Sequence, residues 1–134
     1  MYTICTNDIA AALECVGLDP YIGFYHTLRA GRVSLACDIV EEFRSVIERL
    51  VISAINLLVI NKDDFTEQIG GAVYLNESGL KKVIKIWQEK KRENLVHPVL
   101  KEKVQFGLFP YVQANLMAKF IRKEIDRYPC FQVN

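Results

Sequence analysis

The chain is poor in groups that would staple or chelate. Its four cysteines, Cys5, Cys15, Cys37 and Cys130, form no CxxC pair and follow no regular spacing. That argues against a zinc ribbon and for a reduced, cytosolic protein with ordinary thiols. His26 has no second histidine near it, the other being His97. No apolar run is long enough for a bilayer: the longest, 51–60, is interrupted by Ser53 and Asn56, whereas a span needs about 20 apolar residues. The N-terminus, MYTICTND, has neither the basic start nor the small-residue cleavage site of a secretory signal. The expectation is a soluble chain with no membrane partner. Several enzyme motifs are also missing: there is no P-loop, no GxGxxG after a strand, no GxSxG and no HExxH.

Net charge is almost absent, at +1 for 134 residues, but it is unevenly divided. Residues 1–67 hold five Lys/Arg against ten Asp/Glu, and residues 68–134 hold twelve against six. The first half could hold a cation and the second a polyanion such as nucleic acid. What the chain does have is apolar mass: 51% of it is hydrophobic, slightly above the usual share for a soluble domain. One domain of this length buries about two-thirds of its unfolded surface.

Periodicity assigns that mass to helices. The opening segment is helical through Cys15 and stops at Gly17, a natural C′ residue. Ser34 reads as the N-cap of a long helix from Leu35 to about Ile60. Ile39, Phe43, Val46, Leu50, Ala54 and Leu57 form one stripe of it, and a second set widens that stripe until the last turns are apolar nearly all round. This predicts a central helix packed on several sides. Residues 61–71 read as a loop and 72–75 as at most a short extended piece. A second strong helix spans 78–93, with Leu80, Val83, Ile84 and Trp87 inward and six basic residues around them. The motif VHPVL reads as a connector in which His97 is structural. The last helix runs from about Val104 to Asp126, kinked or restarted at Pro110, burying Val112, Leu116, Phe120 and Ile125. The architecture is all-α, one domain over 1–134.

The chemistry concentrates in YHTLRAGRVSLACDIVEE, residues 25–42. Asp38 and Glu41 lie three apart on a helix, so their side chains share a face, and Glu42 extends it. His26 arrives from the preceding loop. Imidazole with carboxylate oxygens suits Mn²⁺, and Mg²⁺ accepts the set with water completing it. Such an ion can polarise a phosphoryl oxygen and activate a hydroxyl. Arg29, Gly31 and Arg32 would make a flexible basic loop suited to phosphate. The alternative stays open: acidic residues in a first helical turn are favoured by the macrodipole alone, and the arginines could be a solvated turn. The basic faces of the last two helices could follow a DNA backbone, although solvated surface is the default for such runs.

Four segments, in order, resemble a known family. They are ALECVGLDPYIGFYHTLRAGRVSLACDIVEEFR, VYLNESGLKKVIKIWQEKK, VHPVL and GLFPYVQANLMAKFIRKEIDRYPCF. The first contains a GLDPxxGFxH run followed by GRxSLAxDxxE; the last has a QA helix ending in DxYPxF, in the style of the type I-C branch. Together they resemble CRISPR-associated protein one, the endonuclease and integrase of spacer acquisition. The resemblance implies that His26 and Glu41 are metal ligands, that Asp38 supports activity beside them, and that Arg29 and Arg32 approach DNA phosphates. It implies Mg²⁺ or Mn²⁺ as cofactor, and prespacer and CRISPR-repeat DNA as substrates. The implied partners are a second copy of the chain and CRISPR-associated protein two.

The family's N-terminal β-rich domain, and a first metal-binding glutamate upstream of GLDP, have no counterpart here. The expectation is therefore the C-terminal helical region of such a protein, with little activity alone and an exposed apolar patch. A non-catalytic helical module that docks DNA or protein is the competing expectation.

Overall fold

In the computed structural model, which describes residues 1–23 and 31–131, the first helix α1 spans Tyr2–Cys15. Cys5, Ile9, Ala12 and Leu13 recur at the helical period and are its buried face. Gly17 terminates it as predicted, at φ +82°. The Gly17 amide donates to the Glu14 carbonyl at 3.0 Å and the Leu18 amide to Leu13 at 2.9 Å, the paired bonds of a Schellman motif.

The predicted long helix is present but altered. It comprises α2 (Ser34–Val40), a 3₁₀ turn (Glu41–Phe43) and α3 (Arg44–Asn56). The backbone stays right-handed across the joints, so this is one rod tightened over three residues. Ser34 is not the N-cap; it is the first helical residue and fully buried. The rod ends at Asn56 rather than near Ile60 because Leu58 turns left-handed at φ +56°. The Leu58 amide then donates to Ile55 and the Val59 amide to Ala54. A leucine in a position that favours glycine gives no sequence signal for this stop.

Two hairpins and two helices complete the chain. Strands β1 (Phe65–Glu67) and β2 (Val73–Leu75) pair antiparallel ahead of α4 (Glu77–Arg92). Strands β3 (Asn94–Val96) and β4 (Lys103–Gln105) pair antiparallel ahead of α5 (Phe109–Ile121). The predicted last helix thus begins later and ends earlier than expected. Val104 lies in a strand, and Pro110 starts the helix rather than kinking it, since its missing N–H costs nothing in a first turn. Lys123, at φ +60°, closes the C-terminus as Leu58 does for α3. The fold remains predominantly helical.

The core is aromatic. Phe43, Trp87, Phe106, Phe109 and Phe131 are all at most 1% exposed. Their ring centroids lie 5.1–6.0 Å apart along the sequence of contacts Trp87–Phe106–Phe43–Phe131–Phe109, the range in which ring edges and faces attract. Two predicted stripes are corrected. On α4, Val83 and Trp87 are buried but Leu80 and Ile84 are exposed. On α5 the buried positions are Gln113, Ala114, Met117 and Ala118, while Val112, Leu116 and Phe120 are only half-buried.

The end of α3 is likewise not enclosed. Ile52, Ile55, Leu57, Leu58 and Val59 are exposed, as are Phe65, Val73 and Tyr74 of the first hairpin, so the expected apolar patch lies here. The four cysteines are free. Among the described residues no helix is long and apolar enough to cross a membrane.

Two carboxylates, half-buried Asp8 and buried Asp64, lock elements together. Asp8 accepts from the Trp87 indole at 2.8 Å and from Lys91 at 3.1 Å, joining α1 to α4. Asp64, 2% exposed, accepts from the Asn61 amide, the Ser78 hydroxyl and the Lys82 ammonium. The Lys82 hydrogen bond, foremost, holds the Asp64 carboxyl below its ordinary pKa. A depressed folded-state pKa confers stability that is present above the unfolded value of about 3.9 and lost as pH falls through the folded value. Asp64→Asn should therefore lower stability at neutral pH and flatten the acid limb of the stability–pH curve, read by urea denaturation between pH 2 and 6. An acid limb identical to wild type would show that Asp64 contributes nothing to it.

Candidate metal centre

The region around α2 is built by a backbone carbonyl rather than a side-chain cap. The Leu35 and Ala36 amides both donate to the Pro20 carbonyl, at 2.9 and 3.4 Å. Upstream, the Asp19 carboxylate accepts from the Tyr21 amide at 2.9 Å, an Asx turn that closes the DP step. The turn following α1 is thereby pinned onto the start of α2. Gly23, at the end of that pinned stretch, touches α2 itself. A Cβ on Gly23 would lie 2.8 Å from Asp38 Oδ2 and 2.9 Å from the Ser34 carbonyl carbon. This close approach is the physical reason for a glycine there.

His26 and Arg29 lie outside the described residues. Asp38 is half-buried beside Gly23. Glu41 stands one turn further along the same rod with its side chain about half exposed at 52%. It pairs with Arg44 at 3.3 Å, and Arg44 also bonds Glu48 at 2.9 Å. Arg32 is half-buried just before α2, where its carbonyl accepts from the Ser34 amide. Asp38 and Glu41 thus offer hard oxygen donors on successive turns, and Glu41 already attracts a cation in Arg44. That donor set fits a hard divalent ion. Among the described residues no three His, Cys, Asp or Glu side chains gather closely enough to hold a metal.

Glu42 departs from the acidic stripe predicted for it. Its carboxylate turns inward and accepts from Gln113 Nε2 at 2.7 Å, the Tyr128 hydroxyl at 2.7 Å and the Phe131 amide at 2.6 Å. Burial raises its pKa, and these three bonds oppose the rise. Burial and the Glu42 charge together push the Tyr128 phenol upward. Sequence reasoning missed Gln113 and Tyr128 as partners. The available signal was a polar residue four after Phe109 and four before Met117, hence on a buried stripe.

The basic run of α4 is largely neutralised within the chain. Lys81 pairs with Glu77, Lys82 with Asp64, Lys85 with Glu89, Lys90 with Glu93 and Lys91 with Asp8, all within 4.0 Å. That helix offers less unpaired charge to a polyanion than the sequence suggests.

Comparison with known proteins places these features. Residues 1–89 match the family described as CRISPR associated protein Cas1. CRISPR-associated endonuclease Cas1 1 of Chlorobaculum tepidum is 47% identical over 132 residues, covering 98% of this chain and 38% of that protein. The chain therefore spans about two-fifths of the length of several curated relatives it matches. Among solved structures, a CAS1 protein from Thermotoga maritima superposes with a TM-score of 0.80 at 25% identity, covering 90% of this chain and 37% of that one. A chain of a Cas6-RT-Cas1–Cas2 complex superposes with a TM-score of 0.75 at 25% identity, covering 99% of this chain and 14% of its own.

The Gly23–Asp38 contact gives a direct test of the local geometry. Gly23→Ala places its methyl against backbone, which cannot swing aside, so it should cost about 1–3 kcal/mol in chemical denaturation. Unchanged stability would show that Gly23 and Asp38 are not in contact.

Proposed function

The chain belongs to the Cas1 family, and on that membership we propose that residues 19–44 carry its share of a metal-dependent DNA endonuclease and integrase centre. His26 and Glu41 are the proposed ligands of Mg²⁺ or Mn²⁺, Asp38 the supporting carboxylate, and Arg29 and Arg32 the phosphate contacts. The observation that carries the reading is the docking of Gly23 on Asp38. It brings the chain leading to His26 onto the helix that bears Glu41.

The reaction is a transesterification that inserts spacer DNA into a CRISPR array. A DNA 3′-hydroxyl attacks the phosphorus of a repeat phosphodiester; a new P–O bond forms, the opposite P–O bond breaks, and the attacking oxygen's proton is released. When bound, the divalent ion supplies Lewis acidity to the phosphoryl oxygen and lowers the pKa of the hydroxyl. The protein's part is positional. The Pro20 carbonyl and the Asp19 turn fix the turn after α1 on α2, and the rod holds Asp38 and Glu41 one turn apart. Arg44 pairs with Glu41 at 3.3 Å.

Several finer assignments belong to the same proposal. The chain represents the C-terminal helical region of a Cas1 protein, with the DxYPxF ending suggesting subtype I-C. Its proposed partners are prespacer and repeat DNA, a second copy of the chain and Cas2, in the cytoplasm. The Cas1–Cas2 assembly containing a similar fold supports the Cas2 partner. One metal-binding glutamate of the family has no counterpart in these residues, so the chain alone should have little or no nuclease activity.

Titration with Mn²⁺, followed by the ion's own electron-spin resonance signal, tests the reading. Saturable binding should fall at least tenfold in both His26→Ala and Glu41→Ala. Binding that is absent in wild type, or indifferent to both substitutions, would favour a non-catalytic docking module.

A further inference from the structure

Among the described residues, two buried polar atoms have no hydrogen-bond partner: His97 Nε2 and Gln113 Oε1. Their chemistry is complementary. His97 is fully buried, and its Nδ1 accepts from the Val99 and Leu100 amides at 3.2 and 3.3 Å. An Nδ1 that accepts twice carries no proton, so in the neutral ring Nε2 bears the hydrogen. Gln113 is fixed in the opposite sense. Its Nε2 bonds Glu42 at 2.7 Å, the Tyr128 oxygen at 2.8 Å and the Pro129 carbonyl at 3.3 Å. This leaves Oε1 as an acceptor with no partner of its own. Burial lowers the His97 pKa, and the Gln113 side chain opposes that shift. The two atoms match as donor and acceptor but form no hydrogen bond.

We infer that Gln113, Tyr128 and Glu42 form an inward-facing polar chain that positions the 3₁₀ turn bearing Glu41, so that all three are positioning residues for the proposed metal centre. Gln113 donates to Glu42. Tyr128 closes a ring by donating to Glu42 while its oxygen accepts from Gln113. The Phe131 amide adds a further donor to the same carboxylate.

The turn has only three residues, and two of them are anchored inward. Glu42 is held by this chain, and Phe43 by rings at 5.9 Å (Phe106) and 5.1 Å (Phe131). With those two directions set, Glu41 is left facing outward, where it pairs with Arg44. His97 packs between Phe109 at 4.7 Å and Phe131 at 5.8 Å. The chain thus ties α5 and the C-terminal stretch to one point on the rod. Outer partners that orient ligands in this way are worth 10- to 100-fold in metal affinity.

The inference rests on the metal reading proposed above, and the test separates the two. Gln113→Leu keeps the volume and removes both links; Asp64→Asn, a buried polar loss whose partners are Asn61, Ser78 and Lys82, is the control for general destabilisation. Amide hydrogen exchange and Mn²⁺ affinity are measured on both and on wild type. Gln113→Leu should speed exchange at residues 41–44 and weaken Mn²⁺ binding about tenfold. Asp64→Asn should loosen residues 61–80 and leave Mn²⁺ affinity unchanged. Equal losses of affinity in both variants, or no local change at 41–44, would overturn the positioning role. Should wild type show no Glu41-dependent binding, the metal reading fails, and exchange at 41–44 alone still decides whether the polar chain holds the turn.

Discussion

The structure hangs on one inward-facing carboxylate. Glu42 is surrounded by donors from Gln113, Tyr128 and Phe131, which lie 71, 86 and 89 residues away in sequence. A carboxylate drawn inward is tolerable only when hydrogen-bonded, and here the donors come from α5 and the C-terminal stretch, which Phe109 and Phe131 also pack against each other. It closes the C-terminal stretch over the rod and seats Phe131 in the aromatic cluster. Removing one partner would leave an uncompensated acceptor in the interior, a cost of about 1–3 kcal/mol or more. The same contact falls within the 3₁₀ turn, where Glu41 pairs outward with Arg44 while Glu42 and Phe43 turn inward.

That division of roles connects fold to chemistry. The proposed site needs acidic oxygens at the surface of an otherwise apolar helix, and such a surface has to be held by something beneath it. Aromatic packing supplies rigidity without direction, whereas a polar chain of fixed donor sense supplies direction. Gly23 does the corresponding work on the other side, allowing backbone to approach Asp38 where any side chain would collide. The two devices come from opposite ends of the chain and meet across one helix.

Much of this was legible in the sequence, for identifiable reasons. Helix existence follows from periodicity, and Gly17 marked a true terminus because glycine is what the left-handed C′ position favours. The other two such termini fall on Leu58 and Lys123, where composition gives no warning; hence the overlong predictions for α3 and α5. The spacing of Asp38 and Glu41 sets them on successive turns of the rod, and the same spacing groups Glu42 with them. The partners that draw Glu42 inward lie 71–89 residues downstream. Gln113 was invisible for the same reason: its partners are set by tertiary contact. His97, read as structural from its connector, has that character in its two backbone contacts.

Paramagnetic broadening by Mn²⁺ in amide NMR spectra tests the central claim most directly, because it reports where on the chain the ion sits. The account predicts broadening centred on the amides of Gly23, Asp38 and Glu41, fading along α3 and abolished by Glu41→Ala. Broadening centred elsewhere, or unaffected by that substitution, would contradict it.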